Sequence, residues 1–327
     1  MYLHAKILCV ACALSLPACS LRKAAPPPAH PHTASRFEYA QVHMGVQVRL
    51  VLYAPDETRA LDAARAAFAR VAEIDRIASD YRPDSELMRL CAHAGRGPVA
   101  VSDDLYALLE LSCRVSRASG GAFDITVGPL VSLWREARRT RRLPDPARLA
   151  DARRLVGWRN IVLDPVRRTA ELAVPGMKLD LGGIAKGYAG DCAIAVLRQH
   201  GIASALYEAG GDVVLGDAPP GRDGWTIQTM GPTGRNDGPA VTLSRCAISM
   251  SGDAEQFVVI DGTRYSHVID PRTGMALASR VMTVVIAPDG ATSDALATTA
   301  SVLSDAEARQ LVKSFPGAGI LVRTTMQ

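Results

Sequence analysis

Asp180 and Lys186 flank a Gly-Gly pair in the stretch Lys178 to Asp191, KLDLGGIAKGYAGD. A carboxylate before the glycines and an ammonium just after them suit a bound anion. The pattern predicts a short strand over 178–181, a turn at Gly182-Gly183 and a helix over about 184–199. The first N–H groups of a helix have no partner inside it, and the helix dipole favours negative charge there. The Asp180–Lys186 pair is then either a metal ligand with a phosphate clamp or one structural salt bridge. The spacing fits neither a Walker loop nor a G-x-G-x-x-G.

Further candidates lie downstream. Asp294 and Thr298 stand at i and i+4 and share one helix face. A carboxylate and a hydroxyl so placed suit a hard cation such as Mg²⁺, which prefers oxygen ligands. The alternative is a helix-dipole partner beside an ordinary threonine. His267 ends a strand just before Asp270-Pro271-Arg272-Thr273-Gly274, a mouth position where a general base can sit. A structural histidine is the alternative. Ala122-Phe123-Asp124, Gly210-Gly211-Asp212 and Ser251-Gly252-Asp253 are Gly/Asp turns whose carboxylates could instead satisfy loop backbone.

These residues need elements to hold them. Phe37 to Tyr53 alternates as a hairpin turning at Met44-Gly45. Residues 57–79 carry Leu61, Ala64, Phe68, Val71 and Ile74 at helical spacing, and Pro83 ends that pattern. A short helix follows from Ser85. Ser102 caps a helix over 103–118 that stops at Gly120-Gly121. Another helix runs through Trp134, and the arginines of 135–154 read as a solvated face and loop. Hairpins are expected at 161–172 and across Asp261-Gly262. Strands are expected at 203–208 with 213–215 continuing it, and at 225–229, 241–243, 247–250, 281–287 and 319–322. Helices are expected at 294–303 and 305–315. Hairpins mixed with helices, and no internal repeat, mean an α+β fold with a largely antiparallel sheet.

The chain has 327 residues and is 48% hydrophobic, enough for a large core. Its 37 basic and 33 acidic residues are too balanced, and its aromatics too few, for a nucleic-acid surface. Lys6 precedes an apolar run over 7–16 that is too short to span a membrane. The run ends in Leu16-Pro17-Ala18-Cys19, which resembles a bacterial lipobox. The expectation is a signal peptide over 1–18, lipidation at Cys19, a Pro-rich tether over 19–36 and one domain over 37–325. That places the protein on the periplasmic side of a bacterial membrane, held by its lipid anchor. Cys91, Cys113, Cys192 and Cys246 read as buried thiols rather than disulfides.

In order along the chain, GGAFDITVGPL, KLDLGGIAKGYAGD, GGDVVLGD, ISMSGD, RYSHVIDPRTG and SDALATT closely resemble the ApbE-type flavin transferases, FAD:protein FMN transferases. The resemblance spans about residues 37–322. It implies a T-fold-related α+β domain that binds FAD. By position it assigns Met44, Tyr81, Ala122, Phe123, Asp124, Asp180, Lys186 and Val268 to FAD. It assigns Gly183, Asp294 and Thr298 to Mg²⁺, and His267 to the general base. The reaction it implies moves the FMN half of FAD to a threonine or serine hydroxyl of a target protein and releases AMP. Two alternatives share these residues: an FAD pyrophosphatase and a non-catalytic FAD-binding lipoprotein. The sequence departs from the family pattern at Met250, Ala254, Glu208-Ala209 and Ala297. The last puts an alanine where some members carry another acidic metal ligand.

Overall fold

Asp56, Ser85, Ser102, Asp145, Asp289 and Ser304 each accept a hydrogen bond from the backbone N–H three residues on, and each opens a helix. The computed structural model describes residues 34–231, 237–252 and 257–325. Cys19 and the segments around it, together with Asp253 and Ala254, lie outside the described residues.

The chain opens with β1 (Ser35–His43) and β2 (Val46–Ala54), which turn at Met44 (φ 52°) and Gly45. The fold thus starts two residues ahead of the expected boundary at 37. Next come α1 (Glu57–Ala78), α2 (Glu86–Ala92), β3 (Val99–Ala100) and α3 (Asp103–Ala118). A 3-10 turn over Ile125–Val127 leads into α4 (Gly128–Thr140), then α5 (Pro146–Arg154), β4 (Ile161–Asp164) and β5 (Thr169–Leu172). Helix α6 (Ala185–Gln199) precedes β6 (Ala205–Ala209), β7 (Asp212–Leu215), β8 (Trp225–Gln228), β9 (Ala240–Leu243) and β10 (Ala247–Ser251). A hairpin of β11 (Phe257–Ile260) and β12 (Thr263–Ser266) follows. The chain then forms β13 (Val281–Ala287), α7 (Gly290–Val302), α8 (Asp305–Lys313) and β14 (Gly319–Thr325).

Seven strands make one antiparallel sheet in the order β1-β2-β6-β7-β10-β13-β14. Helices α1, α6 and α7 cover one face and share its core. The hairpin β8–β9 brings Trp225 and Ile227 to the other face, against Val51, Leu206, Ile248 and Val284. A separate apolar cluster joins α4 and α5 to the β11–β12 hairpin through Leu130, Trp134, Val258, Ile260 and Ile269. Each large side chain so buried contributes roughly 2 kcal/mol. The α+β, largely antiparallel architecture agrees with the sequence expectation. No helix among the described residues is long and apolar enough to cross a membrane.

Three local expectations are corrected. Residues 178–181 alternate in burial as a strand would, but they join no ladder; Asp180 N donates to Ile125 O at 2.7 Å instead. Residues 212–215 do not continue the strand before them. Gly210 (φ +55°) and Gly211 (φ +93°) reverse the chain, and β7 pairs back on β6. Helix α7 begins at Gly290, four residues earlier than expected, because Asp289 supplies its cap. Among the described residues Cys91, Cys113, Cys192 and Cys246 are free; Cys91 is buried and the other three are half-buried.

Candidate active site

Helices α6 and α7 run antiparallel and meet almost backbone to backbone. A Cβ on Gly187 would lie 2.0 Å from Gly290 O, so only glycine permits the approach. Gly190 seats α6 on the sheet in the same way, since a Cβ there would lie 2.5 Å from Val214 Cγ2. Asp191 fixes the far end of the pair. Its carboxylate accepts from Gly290 N at 2.6 Å and Ala291 N at 2.9 Å. Burial pushes the Asp191 pKa up to about 7 against these two bonds.

The near end of the helix pair gathers the candidates. Gly183 lies against Thr298, and a Cβ on it would be 3.1 Å from Thr298 Oγ1. Lys186 Nζ reaches Gly182 O at 3.0 Å, Asp212 Oδ2 at 3.1 Å and Asp294 Oδ2 at 3.3 Å. Gly187 N also donates to Asp294 Oδ2, at 3.3 Å. Asp212, a Gly/Asp turn residue by sequence, joins this cluster. Its side chain is 4% exposed, and that of Asp294 is 6% exposed. Burial, then the neighbouring Asp212 carboxylate, pushes the Asp294 pKa upward. Burial opposes charge on Lys186, but the two carboxylates outweigh it and raise its pKa. The ammonium therefore stays charged. Two acids share one base, so a negative charge is left over when both are ionised.

That surplus, with oxygen donors from Asp294, Thr298 and the Gly183 backbone, suits a hard divalent cation. Among the described residues no three His, Cys, Asp or Glu side chains are grouped to hold a metal. A cation here therefore depends on backbone and hydroxyl oxygens to complete its shell. Ala297 is buried at 1% exposure. The second carboxylate of the cluster comes instead from β7, as Asp212.

Asp180 and Lys186 do not form a direct pair. Asp180 Oδ1 accepts from Gly182 N at 2.8 Å, and Oδ2 lies 3.4 Å from Arg135 Nη2. Burial and then the Asp80 charge push the Asp180 pKa up. Arg135 also bridges to Asp80 at 2.6 Å and lies over the Tyr81 ring, 4.1 Å from its centroid. Arg135 and Arg138 are thus half-buried, a correction to the solvated face expected of them.

The other assigned residues are more scattered. Asp124 caps the 3-10 turn, accepting from Thr126 N at 2.9 Å, Thr126 Oγ1 at 2.6 Å and Trp158 N at 2.9 Å. Its carboxylate satisfies loop backbone, as the structural alternative had it. Ala122, Phe123 and Val268 are buried, and Met44 is half-buried in the β1–β2 turn. His267 is exposed one residue past β12, whose two-stranded sheet is separate from the seven-stranded one. The turn that follows it is anchored to α4 by Trp134 Nε1, which donates to Gly274 O at 2.9 Å.

Residues 44–322 match the model of the ApbE family. A FAD:protein FMN transferase of Treponema pallidum is 34% identical over 302 residues, covering 87% of this chain and 83% of its own length. The crystal structure of an ApbE protein from Thermotoga maritima superposes with a TM-score of 0.79 at 29% identity, covering 90% of this chain and 97% of the other. The flavin transferase ApbE of Vibrio cholerae gives 0.77 at 27% identity, over 90% and 98%.

Proposed function

The chain belongs to the ApbE family, and from that premise we propose that it is an FAD:protein FMN transferase. It moves the FMN half of FAD to a threonine or serine hydroxyl of an exported redox protein and releases AMP. The observation that carries the reading is the meeting of Gly183 and Lys186 with Thr298 and Asp294, whose Lys–Asp bond spans 108 residues of sequence. A turn leading into a helix, serving only as a connection, has no need of that cluster.

Gly183, Asp294 and Thr298 would hold Mg²⁺, with Asp212 and Lys186 balancing the charge around them. The cation, when bound, supplies neutralisation of the diphosphate, which phosphoryl transfer needs more than a covalent nucleophile. The protein's own residues do the rest. Lys186 and Gly187 N fix the orientation of the Asp294 carboxylate. Asp180 and Tyr81 meet FAD, as the family resemblance assigns them. An imidazole nitrogen of His267 takes the proton from the acceptor hydroxyl. The acceptor oxygen bonds to the FMN phosphorus, the P–O bond of the anhydride breaks, and AMP leaves with the bridging oxygen.

The lipobox-like Leu16-Pro17-Ala18-Cys19 supports tethering at Cys19 on the periplasmic side of a bacterial membrane. The test is incubation with FAD, Mg²⁺ and a domain carrying a flavinylation threonine. Flavin fluorescence that stays on the acceptor after denaturation is expected. FAD bound with no flavin transferred refutes the reading. AMP released without any acceptor replaces it with a pyrophosphatase.

A further inference from the structure

We propose that Arg135 is a positioning residue for the flavin end of the site. It holds the Tyr81 ring as a stacking platform for the isoalloxazine, an inference that rests on the function proposed above. Tyr81 is 76% exposed, unusual for an aromatic side chain that serves no ligand. It sits in the loop between α1 and α2, where Tyr81 N donates to Ser79 Oγ at 3.3 Å. A ring on such a loop has no rigid seat of its own.

Arg135 supplies one. Its guanidinium carbon lies 4.1 Å from the ring centroid and covers one face. The same group reaches Asp80 at 2.6 Å and Asp180 at 3.4 Å. One side chain thus joins the Tyr81 loop, α4 and the segment before α6. A planar, always charged guanidinium can stack on a ring and bridge carboxylates at once; an ammonium cannot. The base of this arm is rigid. Its neighbour Trp134 is 2% exposed and bonded to Gly274 O. Arg135 Nε is buried without a hydrogen-bond partner among the described residues. Its placement therefore follows the ring and the two carboxylates rather than the needs of its own donors. At 76% exposure, the ring remains accessible to a planar ligand.

The measurement is FAD binding, read by quenching of flavin fluorescence, together with KM for FAD and kcat for AMP release. Arg135→Ala should raise KM and Kd for FAD about tenfold, with kcat within about twofold, the reach of a partly desolvated cation–π contact. Arg135→Lys should recover little of this. Asp80→Asn leaves both stacking partners in place and should raise KM about threefold, which keeps the test open if Arg135→Ala does not fold. In a Tyr81→Ala background, Arg135→Ala should add less than about twofold, because the ring it positions is gone. Effects that multiply in the double variant overturn the proposal, as does an unchanged Kd in Arg135→Ala. Wild-type protein that binds no FAD defeats the functional reading instead.

Discussion

Gly187→Ala tests whether the helix crossing builds the site. The new Cβ would stand 2.0 Å from Gly290 O, 2.4 Å from Gly290 C and 2.9 Å from Ala291 N. Ordinary contact needs about 3.5 Å, so the shortfall is about 1.5 Å. All three obstacles are backbone, and no rotamer change relieves them. Overpacking of this kind costs about 1–3 kcal/mol, here at the upper end, while Gly to Ala inside a helix returns about 1 kcal/mol. A net loss of about 2 kcal/mol lowers Tm by about 4–8 °C in a domain of this size. The catalytic cost is larger. Parting α6 from α7 by about 1 Å breaks the 3.3 Å bonds from Lys186 Nζ and Gly187 N to Asp294. Misplacement on that scale costs about 100-fold in rate. Melting by circular dichroism and AMP release in the presence of Mg²⁺ read the two effects. Gly319→Ala, with open space around its Cβ, is the control. A Gly187→Ala protein that melts within 1 °C of wild type and turns over normally refutes the reasoning.

Asp294→Ala should abolish AMP production while leaving measurable FAD binding; unchanged turnover would remove Asp294 from the metal site. His267→Ala should slow transfer by about two to four orders of magnitude, the usual contribution of a general base, and normal transfer would exclude it from that role. Asp212→Asn brings the buried cluster to one acid and one base. It should stabilise the metal-free protein by about 1 kcal/mol and shrink the gain in Tm on adding Mg²⁺; an undiminished gain would remove Asp212 from the cation's charge balance. Asp191 titrates at about 7 in the folded protein, above its ordinary 3.8. A raised folded pKa means its linked stability is complete below about pH 4 and is lost as pH rises through 7. Asp191→Asn, neutral throughout, should flatten the fall of Tm between pH 4 and 7, and an unaltered slope would count against it.

The sequence carried the helices well because their start signals are local. Ser85 and Ser102 stand at the helix starts expected from the sequence, and each caps its helix, as Asp56 does for α1. Residues 178–181 misled because alternation in burial needs only extended backbone. Whether a strand pairs depends on what lies beside it, and here Ile125 offers one carbonyl. Gly210-Gly211 was legible as glycine-rich but not as a reversal, since either a kinked strand or a turn accepts positive φ. The start of α7 is marked by Asp289 and Gly290, but the spacing of Asp294 to Thr298 fits a helix beginning at Asp294 equally well. Asp212 and Arg135 were invisible as site residues for a different reason. Each acquires its meaning from partners far away in sequence, Lys186 and Asp294 for one, Tyr81 and Asp180 for the other.

Stability alone does not account for the cluster around Lys186. Taking two carboxylates and an ammonium out of water costs several kcal/mol for each ion, and apolar residues of equal volume are often as stable or more so. The glycines at 183, 187 and 190 add a further conformational cost, and they bury those charges by letting α6 press against Thr298, α7 and the sheet. Such an arrangement is retained when something outside the chain completes it. The surplus is one negative charge, which a divalent cation would overbalance. With such a cation the site would carry net positive charge toward a diphosphate, while Lys186 is engaged with Gly182, Asp212 and Asp294. The Gly-Gly stretch therefore contributes scaffold and charge to a cluster that α7 and β7 complete through Asp294, Thr298 and Asp212.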